Sequence, residues 1–153
     1  MRYAGQTTAA ALLAGGASAV VALFSAYRLA DAPIRGRLGG PDPVGSIASL
    51  VAAVVAIAAF YLLGRSIAAD ASTGRTAVVS GALGGALGGA AAGVAQAFAL
   101  SDYLTAVLAG YAVPPEFLAI ALGAYVILAT LAASALAGAI TYAGWYQRRS
   151  STR

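Results

Sequence analysis

Residues 81–96 read GALGGALGGAAAGVAQ, and this run decides how the chain folds. Gly81, Gly85, Gly89 and Gly93 recur every four residues, and Gly84 with Gly88 forms a second row one position to the side. At 3.6 residues per turn, positions four apart share one face of a helix, so these glycines form a flat stripe against which another backbone can approach closely. In water glycine weakens a helix, but in lipid an unmade backbone hydrogen bond costs more than the entropy, and the helix persists. The run lacks the Gly-Lys-Ser/Thr ending of a phosphate-binding loop and has a helical period, so it reads as a packing surface.

The surroundings place the stripe in a membrane. Of 153 residues, 61% are hydrophobic and 9% charged, against roughly 25% charged in a soluble domain. Four apolar stretches reach the ~20 residues that cross a hydrocarbon layer of about 30 Å: 7–29, 46–64, 76–100 and 117–145. The expected fold is therefore an all-α, polytopic transmembrane four-helix bundle, with residues 1–153 forming one integral membrane domain. Arg2 followed by Ala17-Ser18-Ala19 resembles a signal peptide, but the apolar run continues through Phe24 to Tyr27 and Arg28, as in an uncleaved span.

Between the spans, 31–45 holds Pro33, Arg35, Arg37, Gly39, Gly40, Pro41, Asp42 and Pro43, the composition of a polar loop. A shorter turn is expected over 66–75. In 101–116, Asp102, Tyr103, Tyr111 and the pair Pro114-Pro115 interrupt a segment whose apolar part, 104–113, is too short to span; it reads as a short interfacial or re-entrant helix before the last span. Tyr142, Trp145 and Tyr146 form an aromatic girdle before the basic tail Arg148-Arg149.

Charge gives the orientation. With both termini cytoplasmic, the inner side carries Arg2, Arg65, Arg75, Arg148, Arg149 and Arg153 against Asp70, a net of +5. The outer side carries Arg28, Arg35 and Arg37 against Asp31, Asp42, Asp102 and Glu116, a net of −1. The positive-inside rule favours this arrangement in a cell membrane.

The composition excludes much chemistry. Without Cys or His there is no disulfide, no thiolate, no common transition-metal ligand and no histidine base. All nine basic residues are Arg, set at the ends of apolar segments, a pattern of membrane orientation and not of nucleic-acid binding. No catalytic, cofactor-binding or metal residue is expected, and the chain reads as no enzyme. Gln96 is the one strongly polar side chain inside a span, placed to make an intramembrane hydrogen bond across helices. Ser18, Ser25, Ser80, Thr130 and Ser134 suit the same structural role. Small residues also recur by four at Ala14, Ser18, Ala22 and Ala26, at Ala48, Ala52 and Ala56, and at Thr130, Ser134 and Gly138.

Arg without Lys, abundant Ala and Gly, and the repeat from Gly81 to Gly89 resemble the small, glycine-rich multi-pass membrane proteins of halophilic archaea. Four-span envelope proteins of pleomorphic viruses of those archaea are similar in size and topology. The resemblance implies a membrane location and no ligand-binding residue. Function is accordingly expected to be noncatalytic: a structural, scaffolding or accessory membrane protein acting through helix–helix association, whose partners are membrane lipids and a second copy or another membrane protein. The alternative is a small oligomeric channel or transporter, with Gln96 and small hydroxyl side chains along a polar path.

Overall fold

The computed structural model describes residues 3–30, 43–70, 73–109, 111 and 114–151. Four helices account for nearly all of them: α1 (Ala4–Ala30), α2 (Pro43–Ala69), α3 (Gly74–Ala109) and α4 (Pro115–Ser150). Each contains a stretch long and apolar enough to cross a bilayer, and the chain is a multi-pass membrane protein built as an all-α four-helix bundle.

The helix ends follow from local chemistry. Pro43 and Pro115 open α2 and α4, where proline's missing N–H is no loss. Thr73 precedes α3 and accepts hydrogen bonds from the N–H of Thr76 at both its carbonyl (3.0 Å) and its Oγ1 (3.4 Å), satisfying a donor the helix cannot. Glu116 lies in the first turn of α4 and Arg148 and Arg149 in its last, matching the helix dipole at both ends.

The helices are longer than the expected spans. Ser66–Ala69 remain helical in α2, and Pro43, assigned to the first loop, already opens it; positions 31–42 of that loop lie outside the described residues. The larger difference is at 101–116. Among the described residues no separate short helix precedes the last span: Ser101–Ala109 is the end of α3, and α4 starts at Pro115. The fall in hydropathy at Asp102 closes the apolar stretch, but a helix need not stop there. No Pro or Gly interrupts residues 94–109, and Ser101 and Thr105 donate to the carbonyls of Phe98 (2.9 Å) and Ser101 (2.7 Å) within the same helix. At 1.5 Å per residue, 36 residues reach about 54 Å, well beyond the hydrocarbon.

Each of α1 and α4 has two neighbours: α1 packs on α2 and α3, and α4 packs on α2 and α3, so α1 and α4 stand at opposite corners and do not meet among the described residues. Chain direction makes α1 parallel to α3 and α2 parallel to α4, while α3 and α4 are antiparallel. Burial concentrates at the end of the bundle that holds the start of α1 and the ends of α2 and α4. Ala10, Ala14, Phe60, Leu63, Ile67, Ala77 and Ala137 form one cluster there, against which Tyr3, Ile140 and Trp145 pack. Ile67 and Thr141 are fully enclosed. Tyr3 Oη donates to Asp70 (3.1 Å) and Ser66 Oγ to Gln6 Oε1 (2.9 Å), tying α1 to α2 at this end. Outward faces are apolar along their length, with Leu12, Leu50, Leu87, Phe98 and Leu128 all largely exposed, as expected of surfaces solvated by lipid tails.

Candidate functional site: two glycine rows and the cavity beside them

The two rows of α3 meet different helices. Gly81, Gly85, Gly89 and Gly93 face α4. A Cβ on Gly81 would collide with Thr141 and the Ala137 carbonyl oxygen (2.6 Å). On Gly85 it would run into the Ala133 carbonyl, with the Ala133 carbonyl carbon at 2.9 Å. On Gly89 it would lie 2.6 Å from Ala133 Cβ and 3.2 Å from Thr130 Cα, and on Gly93 3.4 Å from Val126 Cα. The antiparallel register is thus 81 against 141, 85 against 137, and 89 against 133, one turn at a time. From the α4 side, Ser134 Oγ donates to the Ala82 carbonyl at 3.0 Å, crossing the same interface.

Gly84 and Gly88 face α1 and α2. A Cβ on Gly84 would sit 3.0 Å from the Phe60 ring and 3.2 Å from Thr7 Cγ2. On Gly88 it would sit 3.0 Å from the Ala11 carbonyl oxygen, and one on Gly15 of α1 would meet Gly88 Cα at the same distance. Both rows are therefore occupied within one chain. Contact this close brings many atom pairs to their van der Waals optimum, which is the main source of helix affinity where lipid is as apolar as the side chains.

A third close approach was not marked by any repeat. Gly64 of α2 and Gly144 of α4 face each other's helices: a Cβ on Gly64 would overlap the Thr141 carbonyl and lie 3.0 Å from Trp145 N, and one on Gly144 would overlap the Tyr61 carbonyl, with the Tyr61 carbonyl carbon at 3.1 Å. Each is a lone glycine in its helix at that depth, so no four-residue spacing announces it. The only sequence signal is small size next to large aromatics in Phe60-Tyr61 and Trp145-Tyr146.

Where the four helices draw apart beyond this packed end, a cavity of about 390 Å³ opens, lined by all of them. Its walls are Ala, Gly and aliphatic side chains, including Ala53, Ile57, Ala92 and Leu136, with Ser18 and Gln96 the polar members. Gln96 lines this cavity, and its Oε1 accepts a hydrogen bond from Tyr125 Oη, joining α3 to α4 one turn past the last glycine contact. Thr130 and Thr141 donate to carbonyls of their own helix, Val126 (2.7 Å) and Ala137 (2.7 Å). Glu116 is exposed at the start of α4. Among the described residues, no three His, Cys, Asp or Glu gather as metal ligands would.

No family model matches this chain, and no curated protein or solved structure is significantly similar to it. The fold and its interfaces define the class: a polytopic four-helix membrane protein closed by glycine-mediated helix contacts.

Proposed function

We propose that the protein is a noncatalytic scaffolding or accessory component of a membrane assembly, oriented with both termini in the cytoplasm. The observation that carries this reading is the use of both glycine rows of α3 inside the chain. They make a close-packed bundle in which Tyr125 bonds to Gln96 and Ser134 to the Ala82 carbonyl across helices, and Thr130 and Thr141 bond to their own backbone, the construction of a part meant to hold shape. The nearly apolar walls of the central cavity and the commitment of Gln96 to Tyr125 support scaffolding over conduction, because a path for ions or polar solutes needs hydrogen-bonding groups along its length.

With the glycines occupied, recognition by a second copy or another membrane protein falls to the outer faces. The row Ile47, Leu50 and Val54 on α2 and the row Ile120, Ile127 and Leu131 on α4 are more than half exposed and lie on adjacent helices. The cytoplasmic orientation rests on the gathering of Arg65, Arg75, Arg148 and Arg149 at the end of the bundle that bears Asp70.

Native mass spectrometry of the chain extracted in native lipid particles tests the proposal. The expected result is a complex of fixed stoichiometry, either of copies or with one other membrane protein, and no solute flux after reconstitution. A monomer that conducts ions or solutes, with conduction abolished by Gln96→Leu, would overturn it.

A further inference from the structure

The ends of α2 and α4 run parallel at the packed end of the bundle, and their contact brings the Arg148 side chain to the backbone of Arg65. Arg148 Nη1 donates to the Arg65 carbonyl at 3.3 Å, and a recess of about 280 Å³ lies between the two helices, lined by Tyr61, Arg65, Gln147, Arg148 and Ser151. No carboxylate lines it among the described residues. Tyr61 Oη donates to Gln147 Oε1, which fixes the Gln147 amide so that its N–H donors remain for a further acceptor. The indole of Trp145 stacks on Tyr142 (5.7 Å between centroids) and carries the Arg149 guanidinium 5.5 Å above its ring. Aromatic rings of this kind settle at the level of lipid headgroups.

The geometry points to a binding site for the phosphate of an anionic membrane lipid, held between Arg65 and Arg148 with the Gln147 amide as a third donor. A basic side chain snorkelling from one helix end, or offsetting one helix dipole, accounts for Arg148 alone. It does not account for arginines from two helices and an oriented amide meeting at one recess. Guanidinium forks match phosphate oxygens in pairs, and basic recesses between helix ends at headgroup depth are where lipid phosphates are recognised. The inference is independent of whether the bundle acts as a scaffold.

The test uses the full chain, purified in mild detergent and presented with equal amounts of phosphatidylglycerol and phosphatidylcholine of the same acyl chains, with bound lipid counted by native mass spectrometry. Phosphatidylglycerol is expected to be retained preferentially, and R65Q/R148Q to reduce that preference roughly tenfold. R75Q, which removes an exposed arginine outside the recess, is expected to leave it unchanged, and R148K, which keeps the charge but loses the fork, to fall between. Equal loss in R75Q and R65Q/R148Q would reduce the effect to diffuse charge attraction and overturn the site. Displacement of the lipid by excess inorganic phosphate would assign the recess to the free anion and overturn its assignment to lipid. Helicity and Trp145 fluorescence report whether the double variant is folded; if it is not, R65Q alone, on an exposed side chain, gives the same readout.

Discussion

Replacing Gly89 by Ala places a methyl 2.6 Å from Ala133 Cβ, where carbon atoms prefer 3.5–4.0 Å. The overlap of about 1 Å cannot be removed by a rotamer change, since neither side chain has one, so α3 and α4 must move apart. Overpacking of this kind costs about 1–3 kcal/mol, and a gap approaching 1 Å also weakens the neighbouring contacts at Gly85 and Gly93. Ala133→Gly alone should cost up to about 1 kcal/mol through helix propensity. Combined, the two changes exchange the methyl from one helix to the other and restore the contact, apart from Thr130 Cα at 3.2 Å and the Ala129 carbonyl at 3.3 Å. The double variant should therefore be more stable than the sum of the single effects by about 1–2 kcal/mol. Unfolding in mixed micelles on titration with sodium dodecyl sulfate, followed by circular dichroism and by the single tryptophan, Trp145, measures each term. Gly16→Ala, where nothing lies within 4 Å of the new methyl, supplies the control and should show only the gain in helix propensity, up to about 1 kcal/mol, with no packing cost. Additive behaviour of Gly89→Ala and Ala133→Gly would refute the antiparallel register that pairs 89 with 133.

Gly64→Ala and Gly144→Ala should each destabilise the same transition by about 2 kcal/mol or more, because the atoms their methyls would strike are backbone and cannot swing away. Wild-type stability in either variant would show that α2 and α4 are not in contact at this level. Tyr125→Phe removes the hydroxyl that bonds to Gln96 and should cost about 0.6 kcal/mol, the usual worth of an interhelical hydrogen bond in a membrane; a loss several times larger would mean that the pair supports more than the α3–α4 contact. The absence of cysteine allows single-cysteine labelling in intact cells. Ser150→Cys should be blocked only by reagents that cross the membrane and Tyr111→Cys by impermeant ones, and the reverse pattern would invert the proposed orientation.

What could be read from the sequence and what could not divide along a physical line. The rows at 81, 85, 89 and 93 and at 84 and 88 are legible because a repeat of four has meaning on a helix before any partner is known. The partner of each row is not legible: choosing between a second copy and the chain's own helices requires the register of Thr7, Ala11, Ala133 and Thr141, which are ordinary small residues in an Ala-rich sequence. Gly64 and Gly144 carry no period and acquire meaning only as a facing pair. The end of α3 was obscured because hydropathy reports where lipid ends, whereas Ser101 and Thr105 bond back into a backbone ladder that continues past that boundary. The recess at Arg65 and Arg148 joins residues 83 positions apart, and charge counting sees them only as two members of a net positive side.

The division of α3 between two neighbours also sets an order of events during synthesis. The row at Gly84 and Gly88 can close on α1 and Phe60 as soon as α3 enters the membrane, because both partners precede it in the chain. The row at Gly81, Gly85, Gly89 and Gly93 has to wait for α4, whose matching residues begin at Val126 and end at Thr141. Until then that face of the nascent chain borders lipid, and it is open to the α4 of a neighbouring chain. The fourth helix is thus the element through which two copies made side by side would exchange parts, and prompt insertion of Pro115–Ser150 after α3 keeps each bundle made from a single chain.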